Sequence, residues 1–339
     1  MQALLKVAPE PGALELREVP RPTPRADEVV IQVAGASICG SDLHIAHWHA
    51  MAQWTKTPVI LGHEFAGVVS EIGAAVQVLR PGDAVAVESV IWCGRCPPCR
   101  TGKTNVCMER RLFGIHEPGG IAGAVAVPER LAHRVPASLP IDQAALAEPM
   151  TVALHAVLLQ PPKPGDVVLV TGPGTIGLLA GLAARAAGAR VFVAGTPSDA
   201  AKRLPAAASL KLEPLDPGLP IADALETLTD QPIDLVLECS GSAAAINSAL
   251  HVVKRAGGVT LIGMPSVGVE IDLAQALRAE ITLRPSYFGT SLEFERAIAL
   301  IDSGTVPADA LLTPYPLDQV LQAFDDADAQ RVLKPLIQP

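Results

Sequence analysis

Residues 168–177 constrain the fold of this 339-residue chain more than any other segment. They read VLVTGPGTIG, in which an apolar strand leads into Gly172-x-Gly174-x-x-Gly177, followed by an Ala- and Leu-rich helix. The first glycine of such a pattern allows a tight turn, the second lets the backbone approach a pyrophosphate, and the third packs the helix on the strand. Phosphates bind at the helix N-terminus, here Thr175 and Ile176, because its free N–H groups favour negative charge. The segment therefore predicts a dinucleotide-binding turn.

The region from residue 150 to about 285 alternates apolar strands with helices. The predicted strands read VVLVTG, RVFVAG, IDLVLECSG and VTLIGMP, and the predicted helices read MTVALHAVLLQ, LLAGLAARAAGA and AAAINSALHVVKRAGG. This alternation predicts an α/β fold with a doubly wound parallel sheet. Residues 167–184 carry no charge, but the glycines and the proline in their first half favour a strand, a turn and a buried helix over a membrane span.

The first 150 residues show a different pattern, of short apolar segments separated by turns. Short runs rich in Val and Ile, VVIQVAGASI, PVILGHEFAGVVSEIG and DAVAVESVI, are separated by turn sequences such as RPGD and EPGG. Short strands at this spacing predict a barrel-like β domain. Near the other end, LEFERAIALIDSG and LDQVLQAFDDADA read as surface helices, and residues 332–337 as a closing strand that can return to the first domain.

Charge and the N-terminal sequence exclude several classes of function. The chain has 26 Lys and Arg against 35 Asp and Glu, a formal charge of −9, and no long basic run. This balance argues against a nucleic-acid partner. The first residues, MQALLKVAPEPG, lack the pattern of a secretory signal. With no membrane span expected, we predict a cytoplasmic protein.

Four of the six cysteines lie close together in the sequence. Cys93, Cys96, Cys99 and Cys107 are separated by two, two and seven residues. Four thiolates saturate a tetrahedral zinc ion and leave no position for substrate, so this pattern predicts a structural zinc site. The alternatives are an iron–sulfur cluster, which also accepts four thiolates, and four unrelated reduced cysteines.

A second candidate metal site is less evident from spacing. Gly62-His63-Glu64 precedes a predicted strand, and Cys39 lies upstream in Ile38-Cys39-Gly40-Ser41-Asp42. Taken singly, a histidine is more often an ordinary core or surface residue, and a lone cysteine a small buried apolar residue. Only the wider context makes these residues candidate ligands.

The end of the second strand of the nucleotide region bears on cofactor choice. An acid there would bind the ribose 2′-OH of NAD, but this position holds Gly195. Thr196, Ser198, Lys202 and Arg203 follow and could bind a 2′-phosphate, which favours NADP slightly. Two alternatives stay open: Lys202 and Arg203 simply face water, or Asp199 approaches the ribose itself.

The segment Gly62-His63-Glu64-x-x-Gly67-x5-Gly73-x-x-Val76 resembles the zinc signature of the zinc-dependent medium-chain alcohol dehydrogenases, and the resemblance covers nearly the whole chain. ICGSDLHI (38–45) is similar to the threonine 3-dehydrogenase segment, and EPMTVALHA (148–156) to the sorbitol dehydrogenase segment. His49 stands where threonine dehydrogenases have an acid, and Ser286 lies where sorbitol dehydrogenases carry an arginine. The substrate therefore stays open among polyols, diols and 3-hydroxy amino acids.

The resemblance implies a fold, with a GroES-like β-barrel catalytic domain over residues 1–150 and 286–339 and a Rossmann domain over residues 151–285. It also implies a catalytic and a structural zinc ion, NAD(P) as cofactor, a small alcohol or ketone as substrate, and a homo-oligomer, either a dimer or a tetramer. The implied reaction is hydride transfer between a secondary alcohol and NAD(P), giving a ketone.

The resemblance further implies residue roles. Cys39 and His63 match zinc ligands, Glu64 and Glu148 match carboxylates that bind the zinc or its water, and Ser41 and His44 match a proton relay. Implied cofactor contacts beyond the glycine turn and the second strand are Gly263, Met264, Ser286 and Tyr287. The alternative is a quinone reductase-like or non-catalytic nucleotide-binding relative, but such proteins typically lack the equivalent of Cys39 and the four-cysteine loop.

Overall fold

The computed structural model describes residues 1–339, apart from the side chains of residues 50 and 51. The chain divides into two compact units. One comprises Met1–Glu148 and Thr290–Pro339, and the other comprises Pro149–Gly289. The described helices include none that is both long enough and apolar enough to cross a bilayer.

The strands are numbered in chain order. They are β1 (Gln2–Lys6), β2 (Leu14–Glu18), β3 (Glu28–Ser37), β4 (Val59–Ile60), β5 (Glu64–Ile72), β6 (Ala84–Val87), β7 (Val90–Ile91), β8 (Arg111–Leu112), β9 (Ala124–Pro128), β10 (Ala132–Arg134), β11 (Val167–Thr171), β12 (Arg190–Ala194), β13 (Glu213–Pro214), β14 (Ile233–Glu238), β15 (Val253–Leu261), β16 (Thr282–Pro285), β17 (Leu312–Pro316) and β18 (Lys334–Gln338).

The α-helices are α1 (Gly40–Ala46), α2 (Pro97–Arg100), α3 (Ala147–Leu159), α4 (Thr175–Ala186), α5 (Arg203–Ser209), α6 (Ile221–Glu226), α7 (Ala243–Val252), α8 (Leu273–Arg278), α9 (Ser291–Asp302), α10 (Ala308–Leu311) and α11 (Val320–Asp328). Short 3₁₀ segments, among them Ala50–Trp54 and Pro197–Asp199, connect some of them.

The discontinuous unit is built on a seven-stranded sheet with the order β10-β6-β5-β3-β18-β17, and β9 also pairs with β3. β18 pairs antiparallel with β3, with Ile337 opposite Ala36, so the last strand of the chain joins strands formed by its first residues. Two smaller sheets, β2-β1-β4 and β7-β8, complete the unit. The apolar side chains of β3, β5 and β9 fill its core, together with residues of α11.

The other unit contains a six-stranded parallel sheet with the order β13-β12-β11-β14-β15-β16. Counted from β11, this is the order 3-2-1-4-5-6 that characterises dinucleotide-binding folds. Residues 167–184 form β11, a turn and most of α4, as predicted. All five residues of β11 are buried, which explains the continuous apolar run in its sequence.

The predicted helix over residues 243–258 is too long. Helix α7 ends at Val252, and β15 begins at Val253. Ala256 has a left-handed φ of 58°, and the ideal Cβ position of Gly258 is 2.4 Å from Gln160 Oε1. The helical pattern of the sequence continues through Lys254 and Arg255, but in the structure these residues belong to strand β15 of the parallel sheet.

Candidate functional site

The four-cysteine loop lies between β7 and β8 and includes α2. The sulfur atoms of Cys93, Cys96, Cys99 and Cys107 are all within 4.8 Å of one another, close enough to hold one metal ion. Backbone N–H groups point at the sulfurs: Cys93 N donates to Cys107 Sγ at 3.3 Å, and Cys96 N to Cys93 Sγ at 3.4 Å. Hydrogen bonds from Cys99 and Met108 lower the pKa of Cys96 to about 6, which favours the thiolate that zinc binds.

A second group of potential ligands is buried in the same unit. One ligand atom each from Cys39, His63 and Glu64 lies within 4.8 Å of the other two. Cys39 follows β3 and precedes α1, His63 precedes β5, and Glu64 is the first residue of β5. The pairing of β3 with β5 brings these chain segments together. A thiolate, an imidazole and a carboxylate suit a catalytic zinc ion, since three protein ligands leave one position for substrate.

Glu64 is fully buried and has polar partners on both oxygens. Ser37, which lies opposite Glu64 in the β3–β5 register, donates its hydroxyl to Oε2, and Lys334 Nζ donates to Oε1 at 2.7 Å. Burial lowers the pKa of Lys334, but the negative charges of Glu64 and Cys39 outweigh that effect and hold it above its usual value. Sequence reasoning missed both partners. Lys334 stands 270 positions from Glu64, and no local pattern marks it.

His63 lies beside two residues of α1. Its Nε2 lies 3.3 Å from Ser41 Oγ, and its Nδ1 lies 3.6 Å from Asp42 Oδ1. Asp42 is completely buried, and its other carboxylate oxygen accepts from Cys39 N at 2.8 Å. Burial lowers the pKa of His63, yet the charges of Asp42 and Cys39 hold it well above its usual value. Asp42 belongs to the segment around Cys39 that the sequence singles out, but the sequence alone does not indicate a function for its carboxylate.

Glu148 lies in the first turn of α3 and is buried. Ser89 donates its hydroxyl to Glu148 Oε1 at 2.6 Å. Burial raises the pKa of Glu148 to about 7 despite the opposing charge of His63. Among the described groups, Glu148 is not part of the set whose ligand atoms all lie within 4.8 Å. Ser89 is a further residue that sequence reasoning missed.

His44 lies one turn after Ser41 on α1 and is partly exposed. Its Nδ1 is 2.9 Å from His49 Nδ1. The two residues expected to relay a proton, Ser41 and His44, therefore have separate partners, His63 and His49.

The predicted dinucleotide turn connects β11 to α4. Gly174 caps the helix, and Thr175, Ile176 and Gly177 form its first turn. A Cβ at Gly177 would lie 2.0 Å from Gly172 O, so only glycine allows the turn to close on the helix. The ideal Cβ position of Gly174 has no neighbour within 4 Å, which leaves the space that a pyrophosphate needs.

The carboxyl end of β12 carries the residues considered for cofactor choice. Thr196 donates to Asp199 Oδ2 through both its backbone N–H, at 2.8 Å, and its hydroxyl, at 2.9 Å. Arg203 Nη1 lies 3.2 Å from Asp199 Oδ1. Both oxygens of this buried carboxylate are thus engaged within the protein. Ser198 bonds to the Thr196 hydroxyl at 2.7 Å, and Lys202 is exposed.

The remaining predicted cofactor residues follow the next strands of the sheet. Gly263 and Met264 come after β15, and Ser286 and Tyr287 after β16. Because parallel strands end at one edge of a sheet, these residues lie at the same edge as the glycine turn. Ser286 Oγ is buried without a hydrogen-bond partner, so it is free to bind a ligand group at this edge. At the end of β14, sequence reasoning missed Glu238, which accepts from Ser240 N at 2.8 Å.

Comparisons with known proteins identify the family of the chain. Residues 25–137 match the family model of the alcohol dehydrogenase GroES-like domain, and residues 175–303 match that of the zinc-binding dehydrogenases. The chain is 34% identical to an L-threonine 3-dehydrogenase from Saccharopolyspora erythraea over 340 residues, covering 99% of this chain and 98% of that one.

Two solved structures are similar over the full length. A Sinorhizobium meliloti protein with NADP bound has a TM-score of 0.91 at 31% identity, covering 100% of this chain and 99% of that one. 2R,3R-butanediol dehydrogenase from Bacillus subtilis has a TM-score of 0.90 at 27% identity, with the same coverage. Together with the cysteine loop, the buried ligand set and the nucleotide turn, these matches show that the chain belongs to the zinc-dependent medium-chain alcohol dehydrogenases, which are NAD(P)-dependent oxidoreductases.

Proposed function

We propose that this protein oxidises a secondary alcohol to a ketone and transfers the hydride to NAD(P), with a vicinal diol, a polyol or a 3-hydroxy amino acid as substrate. The observation that carries the proposal is the buried set of Cys39, His63 and Glu64. Two similar proteins named above are a threonine 3-dehydrogenase and a butanediol dehydrogenase, and the substrates in both names carry secondary hydroxyls.

Cys39, His63 and Glu64 are the proposed ligands of the catalytic zinc. Zinc in such a site lowers the pKa of a bound alcohol and stabilises the charge that develops on its oxygen. Lys334 and Ser37 hold the Glu64 carboxylate in place, and Asp42 orients the His63 ring. Outer partners of this kind fix the orientation of metal ligands.

Glu148 is the proposed second carboxylate of the site, the one that holds the water or the substrate hydroxyl. Ser89 occupies one of its oxygens, and burial brings its pKa close to neutrality. Measuring zinc separates the roles of the two carboxylates: Glu64→Gln should lose the catalytic zinc, whereas Glu148→Gln should keep it and lose turnover. Equal zinc loss in both variants would make Glu148 a ligand as well.

Ser41 and His44 are the proposed proton relay. The alcohol must lose its proton before or during hydride transfer, and a positioned hydroxyl can pass that proton to an imidazole. Ser41 Oγ lies 3.3 Å from Nε2 of His63, a proposed ligand, which supports a role for this hydroxyl beside the substrate oxygen. His44 is partly exposed, and although burial lowers its pKa, its imidazole can exchange a proton with solvent.

NADP is proposed to serve at least as well as NAD. Gly195 carries no acid, and the carboxylate of Asp199 is neutralised by Arg203, while Lys202 and the hydroxyls of Thr196 and Ser198 remain exposed. The similar protein from Sinorhizobium meliloti binds NADP. Comparison of kcat/KM for both cofactors tests this, and a hundredfold preference for NAD would contradict it.

The chain is proposed to form a homodimer or homotetramer in the cytoplasm. β16 is an edge strand of the parallel sheet, and Val267, Leu273 and Leu277, which precede it in the chain, are more than half exposed. An open strand edge and exposed apolar side chains both suit association with a second copy. Light scattering at micromolar concentration measures this directly, and a monomeric mass would contradict it.

A panel of substrates tests the proposed reaction. Threonine, sorbitol, xylitol, 2,3-butanediol and simple primary and secondary alcohols would be compared by following reduction of NAD and NADP by absorbance. We expect activity with one or more secondary alcohols. Activity confined to primary alcohols would overturn the substrate class.

A further inference from the structure

Three histidines lie at the end of α1 and on the turn that follows it, and we call His44, His47 and His49 the histidine turn. Trp48 adopts a left-handed backbone conformation, with φ of 54°, which bends the chain back toward α1. The backbone N–H of His49 donates to His44 O at 3.0 Å, so the two residues are joined by main chain as well as by their side chains. The turn therefore fixes where the His49 ring lies relative to His44.

The two rings meet at the same type of nitrogen. His44 Nδ1 and His49 Nδ1 are 2.9 Å apart, so one must carry a hydrogen while the other accepts it. His44 is partly buried, and His49 is exposed. The pair thus forms a hydrogen-bonded step from the interior of the unit to solvent. The His49 side chain caps no helix, although the residue precedes the 3₁₀ segment Ala50–Trp54.

We propose that His49 receives the reaction's proton from His44 and releases it to water. The inference rests on the proposed function, because oxidation of an alcohol by NAD(P)⁺ yields ketone, NAD(P)H and one proton. His44 takes up the proton on Nε2 and gives up the hydrogen of Nδ1 to His49 Nδ1. His49 then loses its Nε2 hydrogen to water. His49 acts through His44 and is a positioning residue as well as a proton acceptor.

Charged groups around the pair favour outward transfer. The ring of His47 stacks on that of His49, with centroids 5.4 Å apart, and its Nε2 lies 3.0 Å from Asp328 Oδ1 on α11. From β1, Lys6 Nζ lies 5.5 Å from the Trp48 ring. Burial lowers the pKa of His44, and the positive charges of His49 and His47 lower it further. A proton on His44 is therefore less favourable than on an unperturbed, exposed imidazole.

The histidine turn is not a metal site in this structure. Among the described residues, the groups whose ligand atoms lie close enough for an ion are the four-cysteine loop and the set at Cys39. The contact between His44 and His49 is therefore interpreted as a hydrogen bond between the two rings and not as joint binding of a metal ion.

Replacement of His49 tests the proposal. His49→Gln keeps a polar side chain but cannot take up and release a proton at neutral pH. We expect kcat near pH 6.5 to fall by about tenfold. This loss is smaller than the 10²–10⁴-fold typical of a general acid or base, because water can partly take over proton transfer from His44. The defect should shrink as pH rises, since hydroxide then accepts the proton, and added imidazole should restore turnover.

His47→Gln is the matched control, since it removes a histidine from the same turn and leaves the His44–His49 bond intact. It should keep kcat near pH 6.5 close to the wild-type value and gain nothing from imidazole, although loss of the His47 charge should raise the pKa of His44. Zinc content and melting temperature of both variants would show that the site remains formed. A His49→Gln variant with the wild-type pH profile and no response to imidazole would overturn the proposal.

A second measurement does not depend on turnover. In NMR titrations of the imidazole nitrogens, the pKa of His44 should rise in His49→Gln, because a neighbouring positive charge is removed. An unchanged His44 titration overturns the proposal even if no substrate has been found. Failure of the proposed function is distinguishable, because the wild-type protein would then reduce neither cofactor with any secondary alcohol while the His44 titration still responded.

Discussion

Glu64 and Lys334 form an ion pair with almost no access to water. Because an unpaired buried charge costs far more than a neutral side chain, Lys334→Met should lower the free energy of unfolding by about 3–5 kcal/mol. The double variant Glu64→Gln/Lys334→Met leaves no unpaired buried charge and should recover part of the lost free energy of unfolding. Urea unfolding of samples from which zinc has been removed measures both, since Glu64→Gln alone should lose the catalytic zinc. An unchanged midpoint in Lys334→Met would mean that Glu64 does not depend on this partner.

Cys39 and Ser41 are two residues apart, but their replacement should cause different defects in zinc binding and turnover. Cys39→Ala removes a proposed ligand, so both catalytic zinc and activity should be lost. Ser41→Ala should keep the zinc and lose about 10²–10⁴-fold in turnover, the range of a general acid–base step. Metal analysis and kinetics on the same preparations separate the two. Wild-type turnover across pH in zinc-loaded Ser41→Ala would rule out the relay.

The sequence indicates the proposed ligand residues, but it does not indicate the residues that contact them. Cys39, His63 and Glu64 stand in short motifs, and the structure brings them together. Lys334 and Ser89 belong to no recognisable motif. They contact the carboxylates of Glu64 and Glu148 only because the fold brings together residues that are far apart in the sequence. Local patterns carry no information about such partners.

At the scale of elements, the glycines of the zinc signature reflect how closely strands approach. A Cβ at Gly67 on β5 would lie 2.1 Å from Gln32 O on β3. Gly67→Ala should therefore push the two strands apart and cost about 1–3 kcal/mol, the usual range for overpacking. Gly268→Ala is the control, since its ideal Cβ position has no neighbour within 4 Å. Equal melting temperatures for both variants would contradict the steric explanation.

Glu129 connects the segment after β9 to residues 77–79. Its carboxylate accepts from the backbone N–H of Gln77 at 3.0 Å, Val78 at 2.6 Å and Leu79 at 2.8 Å. Burial raises the pKa of Glu129, but these donors outweigh it and the pKa lies below its usual value. A lowered folded-state pKa means that the bonds stabilise the fold above about pH 4.5 and are lost as pH falls through the folded pKa.

Glu129→Gln should accordingly lower the urea midpoint at pH 7, and the difference from wild type should narrow toward pH 3.5. The neutral amide keeps one acceptor oxygen but loses the charge that strengthens these bonds. A midpoint difference that does not change with pH would mean that the effect of Glu129 is steric rather than electrostatic.

Element boundaries were predicted well where composition changes sharply and poorly where it does not. The run at residues 167–171 ends in a glycine turn, and β11 ends there too. At Val253 the chain passes from helix to strand without a break in apolar content. Sheet pairing with β14 decides the conformation at that point, and pairing is not visible in local periodicity.

At the scale of the whole molecule, we predict two zinc ions per chain with separate functions. Cys96→Ser leaves three thiolates for the loop ion, so zinc content should fall from two to one and the melting temperature should drop. The remaining ion should stay at Cys39 and His63, with activity per folded molecule retained. Metal analysis, calorimetry and kinetics at low temperature measure these quantities. A stable variant with unchanged zinc would refute a structural role for the loop.

The place of β18 in the sheet has a consequence for biosynthesis. The strands that surround the proposed zinc ligands emerge from the ribosome first, but β18, which pairs with β3 and carries Lys334, follows only after residues 149–289. At about 5–20 residues per second, that interval lasts roughly ten seconds. Meanwhile the nascent sheet has an open edge at β3, and Glu64 lacks its counter-ion. The nucleotide-binding unit, although second in the sequence, is thus the first that translation delivers complete, and the proposed zinc site gains Lys334 only after that unit has been synthesised.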